Sequence, residues 1–358
     1  MSVHTVVAGG GSGEHVSPGM AVVRELQALG AAAHWLGAQG DTEVEVVAQR
    51  GIPLTLLAMG PVTQARPIAA LEHIAHMPRA VPTALRFLLE LQPAAVLGVG
   101  GPASPVGIVA AGLLGIPCVL QEQNAVPGWT IRLLSGWADL ICCGFTDSVR
   151  SFPSLPAEWT GNPVRKDFFA VAPTTVAEPP RILVLGGSQG SLFLNRTVPR
   201  ALAILRGQGT AAQVRHQAGV RWAEMVSTSY RDLGVEAEVN AFLSEPWQAL
   251  AETDLVVARS GALTVSELAA AGRAAVLIPF PGSAGNHHEH NARAMERAGG
   301  AVVLTEAEST PERLTALLGE LLGEPQRLGR MGDAARATSL PDAARRIAGR
   351  LLDVGGAA

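Results

Sequence analysis

The sequence predicts an α/β protein with two Rossmann-like domains, each built on a parallel sheet, and three observations lead to this fold class. The chain has 358 residues, about twice the length of an average domain. Apolar runs of strand length alternate with longer amphipathic segments, which is typical of a parallel sheet covered by helices on both faces. Residues 6–13 and 183–190 are similar units of a strand followed by a glycine-rich turn, so the pattern begins twice.

The individual strands are predicted from uninterrupted apolar runs. In the first half these are residues 3–8, 34–37, 95–99, 118–121 and 140–144. In the second half they are residues 181–185, 213–216, 239–242, 255–258, 275–279 and 301–304. The segments between them are long enough for helices that connect parallel strands.

The domain boundaries follow from the same pattern. We expect the first domain at residues 1–162 and the second at 163–341, with a polar, proline-rich surface connection at 171–180. A last helix begins near residue 342, after the break at Pro341. Its pattern fits packing on either domain, and we assign residues 342–358 to the first.

The composition excludes several classes of protein. Hydrophobic residues make up 48% of the chain and charged residues 16%, unlike a disordered protein. A net charge of -4 gives no overall attraction for nucleic acid. Cys118, Cys142 and Cys143 lie in apolar segments without metal-ligand spacing, which predicts reduced core residues. The start of the chain lacks the features of a secretory signal, so we expect a cytoplasmic protein.

Residues 94–120 carry no charged side chain, and this length could cross a bilayer. Several glycines and prolines, including Gly100, Gly101 and Pro105, would interrupt a single helix there. We therefore predict a buried strand, a glycine-rich loop, a short helix and a second strand.

The glycine-rich turns between strands and helices are candidate phosphate sites, because backbone N–H groups and the helix N-terminus attract anions. Each turn is equally consistent with a purely backbone requirement for glycine. A dinucleotide-dehydrogenase site fits poorly, since residues 9–14 lack the third glycine of GxGxxG and Asp41 stands too late for a ribose-binding acid.

Residues 259–268 form another predicted strand, turn and helix. Two interpretations are open. Thr264 and Glu267 could form a capping box. Alternatively, Glu267 could accept hydrogen bonds from a ribose diol while the turn at Ser260 and Gly261 meets phosphate.

Six spaced motifs together resemble the MurG family of glycosyltransferases, in order from the N-terminus towards the C-terminus. They are residues 10–15, 122–124, 161–165, 186–190, 216–219 and 259–264. The resemblance implies a GT-B fold of two facing Rossmann-like domains. It also implies an inverting transfer of N-acetylglucosamine from UDP-N-acetylglucosamine to the 4-hydroxyl of lipid-linked N-acetylmuramoyl-pentapeptide, a step of peptidoglycan synthesis that turns lipid I into lipid II.

The resemblance places UDP-N-acetylglucosamine mainly in the second domain. The UDP moiety is expected at Arg165, at the turn of Gly187, Ser188, Gln189 and Gly190, and at the turn of Ser260, Gly261, Ala262, Leu263 and Thr264. By the same resemblance, Phe242 and Leu243 border the uracil and Glu267 holds the ribose. The sugar then projects towards His287, His288 and Asn291.

The first domain is expected to bind the acceptor, with contacts at Ser12, Gly13, Ser104, Glu122 and Asn124. The acceptor hydroxyl must lose a proton as it attacks, and His15 has a side chain that titrates near neutrality, so it is the favoured base. An open alternative is that His15 orients the acceptor phosphate or caps its helix.

The sequence departs from the family pattern at four positions near these sites. Glu14 replaces a usual glycine, so it either points away from the acceptor pyrophosphate or serves as a second candidate base. The other three changes are Pro102 for a common tyrosine, Gln121 for a histidine and His288 for a glutamine. They affect the expected acceptor and sugar contacts more than the UDP site.

No metal and no cofactor are expected, because the chain contains no DxD motif and helix N-termini with Arg165 can stabilise the leaving UDP. The cluster at residues 287–290 has two histidines on one helical face. We favour contacts with sugar hydroxyls over metal binding there, because no further ligand has suitable spacing.

A lipid-linked acceptor implies a peripheral protein on the cytoplasmic face of the cell membrane. Residues 66–87 combine apolar and arginine side chains that suit a membrane surface, and they equally suit a helix pair covering the sheet. Trp129 and Trp137 are either interfacial anchors or packed side chains.

Two other functions remain open on the sequence. One is a UDP-N-acetylglucosamine 2-epimerase, which shares the fold and donor site but needs no lipid. The other is a non-catalytic module that binds nucleotide sugars at the membrane.

Overall fold

The structure is a computed structural model that describes residues 3–11, 13–39, 47–59, 69–174 and 176–356; at 13–14, 69–77 and 284 it describes the backbone alone. The chain forms two compact units. The first comprises Met1–Val164 and Asp342–Ala358, and the second comprises Arg165–Pro341.

The first unit contains a parallel sheet, which has seven strands within the described residues. They are β1 (His4–Ala8), β2 (Ala32–Ala38), β3 (Leu54–Leu57), β4 (Ala95–Gly98), β5 (Cys118–Glu122), β6 (Leu140–Cys143) and β7 (Ala157–Trp159). Their order across the sheet is β3-β2-β1-β4-β5-β6-β7. The order reverses between β1 and β4, and ligands of such sheets bind beyond the carboxyl ends of the strands at that point.

The second unit contains a second parallel sheet, with six strands in the part of the chain that is described. They are β8 (Arg181–Leu185), β9 (Gln213–Gln217), β10 (Ala237–Asn240), β11 (Leu255–Ala258), β12 (Ala275–Leu277) and β13 (Ala301–Val303). Their order, β10-β9-β8-β11-β12-β13, is the same Rossmann arrangement. The predicted fold class of two parallel-sheet, Rossmann-like halves is confirmed.

In the described part of the chain, the α-helices lie between these strands and after the last of them. They are α1 (Gly13–Ala28), α2 (Ala69–Leu91), α3 (Ala103–Leu113), α4 (Trp129–Leu134), α5 (Thr146–Val149), α6 (Lys166–Phe169), α7 (Leu192–Gly207), α8 (Ala223–Asp232), α9 (Pro246–Ala251), α10 (Ala262–Ala271), α11 (His287–Arg297), α12 (Pro311–Leu322), α13 (Pro325–Arg336) and α14 (Ala343–Val354). Short 3-10 turns occupy Ser135–Trp137 and Ala284–Asn286.

Each sheet is apolar on both faces because helices cover both. On β1, Val6 and Ala8 pack in one buried cluster, whereas Val7 packs in the cluster on the opposite face. Ile347 and Leu351 of α14 belong to that second cluster and are fully buried. The last helix therefore packs on the first unit, against α1, β4 and β5.

Three strand predictions were incomplete. The sequence pattern missed β3 and β7, which are short, lie at the two edges of the first sheet and are largely half-buried. The run predicted at 239–242 is in fact β10 (Ala237–Asn240), and Phe242 lies beyond the strand with 60% of its surface exposed.

The proline-rich segment 171–180, predicted as a surface connection, is fixed to the second unit in its described part. Arg273 is 1% exposed and donates to the carbonyl oxygen of Ala172 at 2.9 Å and to Oγ1 of Thr174 at 3.1 Å. Asp254 accepts from the backbone N–H of Ala177 at 3.2 Å. Composition alone does not reveal such buried anchors.

Residues 94–120 contain β4, α3 and β5, as expected. Among the described residues, no helix is both long and apolar enough to cross a membrane. In the segment 66–87, the first three residues lie outside the described chain. Leu85 and Phe87 pack against the buried core of the first unit, so this part of α2 is a helix that covers the sheet.

Candidate active site

The turn after β8 is built by backbone-to-backbone packing. Gly190 has φ +74°, and a Cβ atom there would stand 1.9 Å from the carbonyl oxygen of Ala218. A Cβ atom on Gly219 would in turn stand 2.4 Å from the carbonyl oxygen of Gln189. Only glycine permits this approach. The turn leads into α7, whose N-cap Ser191 accepts from the backbone N–H of Leu194 at 3.4 Å.

Two residues in this turn face solvent, since Ser188 and Gln189 are both exposed. A Cβ atom added at Gly187, which has φ +83°, would meet no atom within 4 Å. The backbone of the turn is therefore accessible, and the N-terminal end of the 16-residue helix α7 lies directly behind it. Such an arrangement can bind a phosphate group.

His216 supports the neighbouring turn, which follows β9, from inside the protein. It is fully buried, and burial lowers its pKa to about 3. Asn195 donates through Nδ2 to the carbonyl oxygen of Ala218 at 3.0 Å, so its Oδ1 accepts from Nε2 of His216 at 3.0 Å. Nδ1 of His216 then accepts from the hydroxyl of Tyr230 at 2.9 Å. The neutral imidazole fixes the backbone of the turn and does not face solvent.

The turn after β11 is locked to α11. Ser260 is fully buried and donates through Oγ to the carbonyl oxygen of His288 at 2.7 Å. Asn291, also fully buried, donates through Nδ2 to the carbonyl oxygen of Ser260 at 3.2 Å. Gly261 is the N-cap of α10, and no side chain caps this helix. The capping box of Thr264 and Glu267 is therefore wrong, because Thr264 lies inside the helix.

Glu267 lies on α10 with partial exposure to solvent. Loss of water around its carboxyl raises its pKa to about 7, and the positive charge of Arg165 partly opposes this. Arg165 donates to the carbonyl oxygen of Ser244 at 3.3 Å and stacks over the ring of Trp247, 5.0 Å from the centroid. Arg165 is thus close enough to Glu267 for its charge to affect the pKa of the carboxyl. It also lies beside Ser244, which directly follows Phe242 and Leu243. Sequence reasoning missed Trp247, which belongs to no motif.

His288 lies at the start of α11 with its Nδ1 buried. Within the described residues, this atom has no hydrogen-bond partner. Burial, together with the nearby charges of His287 and Arg259, lowers the pKa of His288 to about 4. Its ring lies 6.3 Å from that of Phe280 and 5.4 Å from that of His287. Across the described chain, no group of three or more His, Cys, Asp or Glu side chains is arranged to hold a metal ion.

The first unit repeats the close packing of two glycine turns. A Cβ atom on Gly101, which has φ +78°, would stand 1.9 Å from the carbonyl oxygen of Gly10. On Gly100, with φ +94°, it would stand 2.6 Å from Nδ1 of His15. The half-buried His15 ring therefore lies against the turn between β4 and α3. Ser12 lies outside the described residues, and so does the side chain of Glu14. At Gly13 the backbone alone is described.

Ser104 and Glu122 are more deeply buried than their predicted acceptor contacts require. Ser104 is fully buried, and its Oγ would lie 2.7 Å from a Cβ atom on Gly98 of β4. Glu122 is 1% exposed; its carboxylate accepts from the backbone N–H groups of Asn124 at 2.7 Å and Gly128 at 2.9 Å. Burial raises the pKa of Glu122, and these hydrogen bonds lower it. Glu122 thus shapes the loop that presents the half-buried Asn124.

Gln121 is one of the four positions at which the sequence differs from the family pattern. Its side chain belongs to a buried network of amide groups. Its Oε1 accepts from Nε2 of Gln123 at 2.7 Å, and its Nε2 donates to Oδ1 of Asn162 at 3.3 Å. Asn162 donates onward to the carbonyl oxygen of Gln123 at 2.8 Å. The glutamine is therefore accommodated by satisfied hydrogen bonds between β5 and the end of the first unit.

Comparisons with known proteins agree with this architecture. The family model described as "Glycosyltransferase family 28 N-terminal domain" matches residues 5–142, and "Glycosyltransferase family 28 C-terminal domain" matches residues 181–347. At 16% identity and a TM-score of 0.68, the chain also resembles a UDP-GlcNAc 2-epimerase from Neisseria meningitidis, with 99% of this chain and 100% of that chain covered. This likeness shows the fold alone.

Two relatives named UDP-N-acetylglucosamine–N-acetylmuramyl-(pentapeptide) pyrophosphoryl-undecaprenol N-acetylglucosamine transferase are similar over nearly their full length. The one from Ectopseudomonas mendocina (strain ymp) is 41% identical, with 97% of each chain covered; the one from Stutzerimonas stutzeri (strain A1501) is 39% identical, with 99% of each covered. The crystal structure of Acinetobacter baumannii MurG superposes with a TM-score of 0.83 at 31% identity, covering 98% of this chain and 99% of that chain. The chain therefore belongs to the MurG family of glycosyltransferases, with the GT-B fold.

Proposed function

We propose that this protein transfers N-acetylglucosamine from UDP-N-acetylglucosamine to the 4-hydroxyl of lipid-linked N-acetylmuramoyl-pentapeptide, with inversion at the anomeric carbon. The observation that carries the proposal is 41% identity to a relative of that name over 97% of both chains. Glycine-rich turns before helices, which occur in each unit, suit the diphosphates of a nucleotide sugar and of a lipid-linked acceptor.

The second unit is the proposed donor site. The accessible turn at Gly187, Ser188 and Gln189 suits one phosphate, and the N-terminal end of α10 suits the other. Glu267 accepts from the ribose hydroxyls, and Arg165 neutralises charge on the departing UDP. His288, at the start of α11, is the proposed neighbour of the sugar.

The first unit, with α14, is the proposed acceptor domain. The paired turns around Gly10 and Gly101 suit a diphosphate, and His15 beside Gly100 is the proposed base for the acceptor hydroxyl. Glu14 remains the second candidate for the base. Asn124, presented by Glu122, is the proposed polar contact of the acceptor.

One assay tests the reaction against its alternatives. The protein is supplied with radiolabelled UDP-N-acetylglucosamine, with and without the lipid-linked muramoyl-pentapeptide. We expect a labelled disaccharide-lipid only when the lipid is present. Formation of N-acetylmannosamine without lipid would establish an epimerase, and donor binding without any product would establish a binding module.

We also propose that the protein acts at the cytoplasmic face of the membrane through an exposed apolar surface of the first unit. Trp129 and Leu133, one turn apart on α4, are each 61% exposed, and Trp137 and Leu113 are 43% and 58% exposed. The Trp137 ring lies against Gly112, next to Leu113, and exposed Arg132 lies beside Leu133. Aromatic and aliphatic side chains with a nearby cation suit the interface of an anionic bilayer.

Sedimentation with vesicles of anionic phospholipid tests this surface. Replacing Trp129 and Leu133 together by alanine should weaken vesicle binding by about a hundredfold, since each loses roughly 1.5 kcal/mol of apolar burial. Val220→Ala is the control, because this valine is 78% exposed on the second unit. Equal binding of the double variant and the control would refute the proposed surface.

A further inference from the structure

The side chain of Arg259 is enclosed where two turns of the second unit meet. The residue is 8% exposed, and its guanidinium lies 5.6 Å from the ring centroid of Phe193 and 5.7 Å from that of Phe280. It directly follows β11 and precedes the turn at Ser260. An arginine at such a place would ordinarily be assigned to phosphate binding.

The hydrogen bonds of the guanidinium argue otherwise. Nε donates to Oγ of Ser191 at 2.9 Å, Nη1 donates to the carbonyl oxygens of Ile278 and Pro279, each at 3.0 Å, and Nη2 donates to the carboxylate of Glu306. Four of the five N–H groups of a guanidinium are thus directed at protein oxygens. The carboxylate of Glu306 also compensates the positive charge.

The partners of Arg259 belong to three separate segments. Ser191 is the N-cap of α7, at the end of the first donor turn. Ile278 and Pro279 follow β12, and Glu306 follows β13. Arg259 itself begins the second donor turn, which Asn291 ties to α11. One side chain therefore connects the N-terminal ends of both helices that face the proposed diphosphate.

We propose that Arg259 is a positioning residue, which sets the N-terminal ends of α7 and α10 relative to one another for the donor diphosphate and does not itself contact the phosphates. The proposal rests on the donor site described above. It predicts that loss of the connection weakens binding of the diphosphate, whereas binding of the nucleoside alone is unaffected.

The first test uses Arg259→Lys, which retains a positive charge but loses the planar set of donors. We expect the dissociation constant of UDP, measured by calorimetry, to rise about tenfold or more, because at least one charge-assisted hydrogen bond is lost. The affinity for uridine, measured by competition, should stay at the wild-type value. Arg215→Lys is the matched control, since Arg215 pairs with Glu238 and Glu252 on the surface of the same unit; it should leave both affinities unchanged.

The second test, Glu306→Gln, separates positioning from direct contact and decides the matter if the lysine variant does not fold. Positioning predicts weaker UDP binding by a few-fold, because the connection loses its charged acceptor. Direct contact predicts tighter binding, because the guanidinium charge is released towards the phosphates. Tighter UDP binding in Glu306→Gln, unchanged UDP binding in Arg259→Lys, or equal losses for uridine and UDP would overturn the proposal. Failure of the wild-type protein to bind UDP would instead refute the donor site.

Discussion

Glu267 changes its charge close to neutral pH, and this matters for its proposed role. Burial raises its pKa to about 7 even though Arg165 is near. An ionised carboxyl accepts hydrogen bonds from both hydroxyls of a ribose, whereas a protonated one must donate a hydrogen bond of its own. Protonation of Glu267 should therefore weaken the binding of the donor ribose.

Donor affinity should consequently rise with pH. Between about one unit below and one unit above the pKa of Glu267, the ionised fraction grows roughly tenfold, and the affinity for UDP-N-acetylglucosamine should grow by a similar factor. Calorimetric titrations across this range measure the effect. In Glu267→Gln the affinity should be lower and independent of pH. Glu238→Gln is the control, because a hydrogen bond from Arg215 lowers the pKa of Glu238 and no charge change occurs near neutrality. A pH-independent wild-type affinity, together with an unchanged affinity in Glu267→Gln, would remove Glu267 from the ribose site.

At this scale, the motifs named candidate positions for the site, and the structure shows which neighbours each of their side chains contacts. Arg259 and Ser260 lie in one of the six motifs, and Asn291 was named through the family resemblance. Their polar atoms, however, hold the protein together through specific partners. The identity of a residue does not show whether its side chain faces the protein or the solvent. The sequence therefore could not distinguish these buried groups from the exposed Ser188 and Gln189. Trp247 carried no sequence signal, because its contact with Arg165 joins residues far apart in the chain.

At the scale of elements, each donor or acceptor turn depends on its neighbour. The turn after β8 contacts the turn after β9 through Gly190 and Gly219, and the first unit repeats this with Gly101 and Gly10. The glycines are required for close packing between the turns. The same turns are the proposed phosphate sites, so a backbone requirement for glycine and phosphate binding are compatible there.

Gly190→Ala tests this packing. The added Cβ would stand 1.9 Å from the carbonyl oxygen of Ala218, so the two turns must separate. We expect a loss of more than about 2 kcal/mol in stability, together with a clear rise in the dissociation constant of UDP-N-acetylglucosamine. Gly209→Ala is the matched control, because Gly209 also has a positive φ of +94° but nothing within 4 Å of the added atom. It should cost only about 1 kcal/mol and leave donor binding intact. Equal effects of the two variants on donor binding would show that the contact between turns is unimportant.

Central, buried strands were predicted from the sequence more completely than edge strands. Central strands such as β1 and β11 were found from their apolar runs, because both faces of a parallel sheet are covered. The edge strand β7 was missed because a strand paired on one side needs fewer apolar residues. The other edge strand, β3, was missed although three of its four residues are leucine. Phe242 was included in a strand because it is apolar, although it is exposed beyond the end of β10.

At the scale of the whole molecule, the chain passes through the second unit and then returns to the first. Residues 342–358 return to the first unit, where Ile347, Ala348 and Leu351 of α14 are fully buried. Arg350 also pairs with Glu158, with Nε 2.8 Å from Oε1. The sequence predicts an amphipathic helix, but the apolar face of such a helix can pack on either sheet. Only the structure shows which sheet it covers.

Weakening α14 should therefore destabilise the first unit and leave the second intact. Leu351→Ala removes a fully buried side chain and should cost the first unit about 2 to 5 kcal/mol, a large part of the stability of an ordinary domain. We expect a lower melting temperature for the first unit, whereas stabilisation of the second unit by UDP-N-acetylglucosamine should match that of the wild type. Differential scanning calorimetry with and without this ligand measures both. Leu29→Ala is the control, since Leu29 is 40% exposed on the same unit and its loss should change little. If Leu351→Ala abolished the stabilisation by the donor, the two units would depend on each other for donor binding, and the assignment of the donor site to the second unit alone would be wrong.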